Sequence, residues 1–161
     1  MTLTIRPAET ADLPGILEIV NDEILNSTAI FSHHAVTLEN RRAWFEARRE
    51  RNFPVLVAVL GKDVLGFASF GEFRPHDGYL HTVEHSVYVH RDHRGQGLGR
   101  EVMQALIIAA RERDVHAMIG GIDADNTASI ALHERLGFRH VRGRPAGGEI
   151  DDEIALGLRY P

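Results

Sequence analysis

The apolar positions of this chain change period several times, and each change marks a new element. Leu3 to Arg6 alternates weakly and predicts a short strand that Pro7 ends. Leu13, Ile16, Leu17, Val20, Ile24 and Leu25 then recur at three-and-four spacing, which is one face of a helix. Thr10 or Asp12 caps that helix, and Pro14 falls in its first turn, where a missing N–H costs little. A polar and aromatic loop runs from Asn26 to His34. A second helix, Thr37 to about Arg49, buries Leu38, Trp44 and Phe45 and turns an arginine-rich face to solvent.

Strand patterns follow. Pro54 to Leu60 reads as a buried strand, Gly61-Lys62-Asp63 as a hairpin turn, and Val64 to Phe73 as the partner strand. Gly66 and Gly71 inside that partner signal a bulge or a close backbone approach. After the polar loop Arg74 to Gly78, a β-branched and aromatic run, T-V-E-H-S-V-Y-V, starts at Thr82. A charged turn, Arg91 to Arg94, leads through G-Q-G-L-G into a helix from about Leu98 to Arg113. Leu98, Val102, Leu106 and Ala109 form its sheet-facing stripe. Val115 to Ile122 is the next strand, and Asn126 stands at the N-cap of a short helix, Thr127 to Leu136, that Gly137 closes. Phe138 to Arg142 and Glu153 to Tyr160 complete the set, separated by a loop from Gly143 to Gly148.

The order β-α-α-β-β-β-α-β-α-β-β predicts an α/β layered fold, one domain across residues 1–161. Hairpins make the early strands antiparallel. The strand, helix and strand between Thr82 and Ile122 form a crossover, which requires a parallel pair.

Composition narrows the function classes. A formal charge of −5 disfavours nucleic acid or a membrane surface as the main partner. No cysteine is present, so disulfides, thiolate nucleophiles and zinc–thiolate sites are excluded. No apolar run reaches the roughly 18–20 residues of a membrane span. The opening M-T-L-T-I-R-P lacks the basic and then apolar pattern of a secretion signal, and the expectation is a cytoplasmic protein. The ten histidines include no H-E-x-x-H, and His33 and His34 are adjacent, so no metal is expected. Asp123 to Glu134 carries acids at calcium-loop positions, but Ala128 stands where that loop needs glycine and a helix is expected there.

The chemistry concentrates between Thr82 and Arg100. A strand, a glycine loop and a helix N-terminus in that order make an anion site, because the first helical turn presents unpaired N–H groups and partial positive charge. Gly95, Gly97 and Gly99 let a phosphate approach the backbone. The spacing fits neither the dinucleotide fingerprint nor a P-loop. Taken alone, the glycines also fit a tight turn that binds nothing.

The segment R-G-Q-G-L-G, Arg94 to Gly99, resembles the R/Q-x-x-G-x-G/A loop of the GNAT family of N-acetyltransferases. Further segments resemble the phosphinothricin and methionine sulfoximine acetyltransferases within it. These are T-A-I-F (Thr28 to Phe31), N-R-x-A-W-F (Asn40 to Phe45), F-P-V-L-V-A (Phe53 to Ala58), G-F-A-S-F-G-E-F-R-P (Gly66 to Pro75) and T-V-E-H-S-V-Y-V (Thr82 to Val89). The later N-T-A-S-I-A-L-H-E-R-L-G-F, Asn126 to Phe138, also lies where the family has it.

The resemblance implies a mixed, mostly antiparallel twisted sheet with a central splayed parallel pair, flanked by four helices. It implies acetyl-CoA as cosubstrate, a small-molecule amine as acceptor, and a homodimer. The pyrophosphate would lie on the loop of Arg94, Gly95, Gln96, Gly97, Leu98, Gly99 and Arg100, and the pantetheine beside Val87, Tyr88 and Val89. Asn126 would reach the cofactor or serve as a plain N-cap. Glu84 aligns with the proposed general base; burial in an apolar strand would raise its pKa towards neutrality. His133 stands where relatives carry a candidate acid for the leaving thiolate. Arg74 would pair with an acceptor carboxylate, Phe31 would wall the pocket, and His85 and Ser86 would flank the base. The chain departs from the pattern before its last strand. Relatives carry V-G-x-K-F-G-x-W there, and Gly147 to Glu153 is acidic here, which favours a cationic acceptor over a carboxylate-bearing one. A polyamine or protein amine as acceptor, or a non-catalytic acyl-CoA-binding module, are the competing readings.

Overall fold

The computed structural model describes residues 2–26, 34–75, 77–141 and 153–160. Phe31 and the acidic stretch 147–152 lie outside them. The chain enters through β1 (Leu3–Pro7), α1 (Leu13–Asn26) and α2 (Leu38–Glu50). The meander β2 (Val55–Leu60), β3 (Asp63–Glu72) and β4 (Thr82–Val89) follows. Then come α3 (Leu98–Arg111), β5 (Ala117–Asp123), α4 (Thr127–Arg135), β6 (Arg139–His140) and β7 (Glu153–Arg159). The strands join one sheet in the order β1-β2-β3-β4-β5-β7-β6. All pairs are antiparallel except β4 and β5, which are parallel. Element order, hairpins and crossover agree with the sequence expectation.

Helices cover both faces. Val55, Val57, Val59 and Phe67 pack with Ile16, Ile19, Val20 and Phe45 on the α1/α2 face. Leu56, Ala68, Phe70 and Val83 pack with Val102, Met103 and Leu106 on the α3 face. Alternation along β2 thus feeds two cores, which is why that strand is apolar throughout. Each such side chain contributes about 1.5–3 kcal/mol on burial. The α1 stripe differs in one respect from the pattern: Ile19 is buried and Leu25 is 62% exposed. At about 100° per residue, Leu25 has turned past the sheet that Ile24 faces.

The entry to α1 is fixed by charge. Asp12 is buried, accepts from Arg6 at 2.7 and 3.0 Å, and accepts from the Glu9 N–H at 2.7 Å. Burial works to raise its pKa, but the Arg6 and Glu9 hydrogen bonds and the Arg6 charge prevail and hold it below the ordinary value.

Gly66 has the expected cause, and Gly71 has a different one, a side chain rather than a bulge or a neighbouring backbone. A register shift at Ala58/Val59 lies opposite Gly66, where a Cβ would come 3.1 Å from the Tyr88 carbonyl. At Gly71 a Cβ would occupy the place of the Arg48 guanidinium.

Candidate active site

The pairing of β4 is asymmetric. Its bonds to β3 run from Val83↔Glu72 to Val89↔Gly66. Its parallel bonds to β5 begin at Thr82↔Ala117 and end at Glu84↔Ile119. Beyond Glu84 the two strands no longer pair, and Val87 to Val89 have no β5 partner among the described residues. This is the splay the sequence resemblance implied.

At the end of the splay the chain turns through Arg94 to Gly97 into α3. Gly95 and Gly97 have φ of 75° and 81°, which β-carbon sterics disfavour in other residues. A Cβ at either would meet nothing within 4 Å, so the loop presents bare backbone to open space. Gly97 is the N-cap of α3 and supplies no side-chain cap, which leaves the first-turn N–H groups for an external anion. Gly99 faces inward against Leu132 and Val89, and the Leu98 side chain is core.

Alternation divides β4 between two environments. Glu84 and Ser86 are exposed and share a face with Tyr88, which packs against the α1/α2 core. The burial expected for Glu84 is therefore absent. Beside it, α2 turns Arg41, Trp44 and Arg48 towards the sheet. The Arg48 guanidinium lies over Gly71, the register partner of Glu84. Arg41 and Arg48 sit over the Trp44 ring, 4.9 and 5.6 Å from its centroid. Burial lowers the pKa of both arginines, and for Arg48 the neighbouring Arg41 acts in the same direction while Glu84 opposes it. Nε of Arg48 is buried with no hydrogen-bond partner among the described residues, at a cost of about 1–3 kcal/mol. The arginine face of α2 is thus only partly solvated, contrary to expectation.

The opposite face of β4 carries His85, which is 5% exposed. Its Nε2 lies 2.8 Å from Nε2 of His133, itself 2% exposed. Nδ1 of His85 lies 3.1 Å from the Ile119 carbonyl, and Nδ1 of His133 lies 2.7 Å from that of Ser129. Phe138 packs on both rings, and Gly120 leaves the space His85 occupies. Burial first, then the nearby His133, pushes the His85 pKa down to about 3. Burial also lowers His133, against the Ser129 hydrogen bond. His85 therefore does not line the Glu84 cleft, and the His133 ring is engaged in the core.

The model of the acetyltransferase (GNAT) family matches residues 16–138. The chain belongs to the GNAT family of acetyltransferases. It is 50% identical over 150 residues to an L-methionine sulfoximine/L-methionine sulfone acetyltransferase of Pseudomonas paraeruginosa, covering 92% of this chain and 87% of that one. Its fold superposes with a TM-score of 0.92 on the YncA acetyltransferase of Salmonella typhimurium, solved with its cofactor acetyl-CoA. That match has 43% identity and covers 99% of this chain and 94% of that one. A phosphinothricin acetyltransferase of Sinorhizobium meliloti in complex with acetyl-CoA gives 0.89 at 28% identity, covering 99% and 89%. This GNAT chain is accordingly an N-acetyltransferase with the family's mixed sheet.

Other expected site residues of the GNAT chain are placed as follows. The Arg94 guanidinium is committed to buried Glu23 on α1 and to the Val89 carbonyl at 3.3 Å, so it ties the loop to the core. Arg100 and Gln96 are exposed beside the loop. Asn126 caps α4, its Oδ1 accepting from the Ser129 N–H at 3.1 Å, which leaves its Nδ2 as the group able to donate elsewhere. Arg74 stacks on Phe73, 4.5 Å from the ring centroid. Arg41 and Arg48 escaped the sequence reading. Their signal was arginine at two positions of the stripe Arg41, Trp44, Phe45, Arg48, together with a mid-strand glycine. His81, Asp114 and His116 gather at the surface near the start of β4, the two rings stacked at 4.4 Å. A cavity of about 480 Å³ beside Pro7, Phe45 and Asn52 contains none of these site residues.

Proposed function

We propose that the chain moves the acetyl group of acetyl-CoA to the amine of a small amino-acid analogue of the methionine sulfoximine, methionine sulfone or phosphinothricin type, with Glu84 as general base. The observation that carries the mechanism is that Glu84 is the last residue of β4 paired to β5. Its carboxylate therefore stands at the fork where a pantetheine following the splay brings its thioester. The described residues suit acetyl-CoA: bare N–H groups from Gly95 to Arg100 for the pyrophosphate, and the edge of β4 beyond its last pairing with β5, at Val87 to Val89, for the pantetheine.

The amine nitrogen attacks the thioester carbonyl, and a C–N bond forms. Collapse of the tetrahedral adduct breaks the C–S bond and expels the thiolate. The proton lost by the amine passes to Glu84, directly or through one water, and an exposed carboxylate suits the relayed path. The thiolate takes its proton from solvent. His133 is left out of this sequence because its ring is buried against His85. Direct attack predicts a ternary complex, since no cysteine exists to carry an acyl group.

The test is thiol release from acetyl-CoA against methionine sulfone, phosphinothricin, polyamines and peptides. Bound acetyl-CoA with no amine-stimulated release would leave only a binding module. The same proposal includes a homodimer, checked by light scattering, and a cytoplasmic location, checked by fractionation. No helix among the described residues is long and apolar enough to cross a membrane.

A further inference from the structure

The α2 helix places two guanidiniums where a core-facing stripe ordinarily places apolar side chains. Arg41, Trp44, Phe45 and Arg48 follow three-and-four spacing, and Phe45 and Trp44 join the α1/α2 core. Arg41 shares Oδ1 of Asn40 at 2.9 and 3.1 Å. Nε of Arg48 is buried without a partner among the described residues, and the planar head fits a slot that exists only because residue 71 is glycine. That slot adjoins Glu84 across the β3–β4 ladder. Nearby Arg51 is already paired with Glu72 at 3.0 Å. Arg48 thus has Glu84 as an electrostatic neighbour and Arg41 across the Trp44 ring, and a ligand anion would suit the two guanidiniums. Partly buried cations persist where a ligand supplies the counter-charge.

We propose that Arg48, supported by Arg41 across the Trp44 ring, holds the carboxylate of the acceptor, so that the enzyme selects free amino acids over polyamines and peptide amines. The inference rests on Glu84 being the base of the acetyl transfer argued above. In an α-amino acid the amine and carboxylate are separated by one carbon. An arginine beside the base therefore orients the nucleophile by holding the carboxylate, which supplies the guanidinium's counter-charge and accepts from its paired N–H donors. The two guanidiniums on this side of the sheet argue against the cationic acceptor that the acidic stretch before β7 suggested.

The experiment compares methionine sulfone with its decarboxylated counterpart, 3-(methylsulfonyl)propylamine, on wild type, Arg48→Met, Arg48→Lys, Arg74→Met and Gly71→Ala. Wild type is expected to favour the amino acid by roughly 30-fold or more in kcat/KM. Arg48→Met should remove that preference, mainly through a raised KM for methionine sulfone, with a much smaller effect on the decarboxylated amine. Arg48→Lys should restore part of it. Gly71→Ala, which keeps Arg48 but fills its slot, should behave like Arg48→Met. Calorimetric acetyl-CoA binding and a thermal melt show that each variant is folded.

An equal loss on both acceptors in Arg48→Met would overturn the subsite and make Arg48 a support for Glu84. Retention of the preference in Arg48→Met with its loss in Arg74→Met would transfer the carboxylate to Arg74. Wild type acetylating both acceptors equally would also overturn it, with acetyl transfer intact. Wild type acetylating neither, or any other amine tried, would instead defeat the acetyl-transfer reading itself.

Discussion

His85 and His133 meet through their Nε2 atoms at 2.8 Å, both rings buried beneath the point where β4 and β5 part. Two neutral imidazoles carry two N–H protons for three contacts: this one, Ile119 and Ser129. A shared extra proton would complete the set, but burial opposes the charge and lowers both pKa values.

The sign of the pH dependence follows. A histidine depressed to about 3 in the folded state and near 6.5 when unfolded binds more protons unfolded between those values. Its contribution is fully present above about pH 6.5 and is lost as pH falls towards 3. Urea melts from pH 7 to 4 should show stability falling with acid, by up to about 1.4 kcal/mol per pH unit for one such group. His85→Gln should flatten that slope, and an unchanged slope would refute the buried neutral ring.

His133→Gln should lower stability more than it alters catalysis. If His133 were the acid for the thiolate, the alkaline limb of the kcat profile would change. Retention of that limb, with a melting temperature several degrees lower, is the expected result. Loss of the limb at unchanged stability would return His133 to the chemistry.

Glu84→Gln should retain acetyl-CoA binding and lose roughly 10²- to 10⁴-fold in kcat with the best amine. An exposed side chain on a paired strand is not core packing, so the variant should still fold cooperatively in a thermal melt. Normal turnover would remove Glu84 as base.

Gly97→Ala forces a β-carbon into φ of 81° at the start of α3, a strain of about 1–2 kcal/mol. Because that β-carbon would project into the open space the pyrophosphate needs, acetyl-CoA affinity should fall together with stability. Titration calorimetry reads the first and denaturant melts the second. Undiminished affinity would place the phosphates elsewhere.

Gly120→Ala would put a β-carbon 2.6 Å from Cε1 of His85, a ring held by Ile119, His133 and Phe138. Overpacking of a pinned ring should destabilise the protein by about 1–3 kcal/mol. The matched variant Gly120→Ala/His85→Ala should recover part of that loss. No recovery would mean the strain lies in the β5 backbone.

Much of the fold was legible along the chain because it is written in local periods. The stripe Leu13, Ile16, Val20 and the run T-V-E-H-S-V-Y-V each specify an element within a few residues. Gly95 and Gly97 marked a place where bare backbone is presented, and the structure adds a positive φ that few other residues tolerate. The same strand misled on Glu84. Apolar neighbours suggested burial, but a period of two sends alternate residues to different faces, and only packing says what covers each. The histidines failed likewise: His85 and His133 are 48 residues apart, and their contact depends on β4 and α4 meeting at the splay.

The sequence by itself determined the element order, the crossover and the glycine loop, since these rest on spacing and chirality close along the chain, while its motifs carried the resemblance to the GNAT family. Only the tertiary structure decided that β4 leaves β5 at Glu84, that His85 and His133 share the core, and that Arg48 lies in the slot of Gly71. The physical reason is that charge, burial and space at a site are sums over residues brought together from distant parts of the chain.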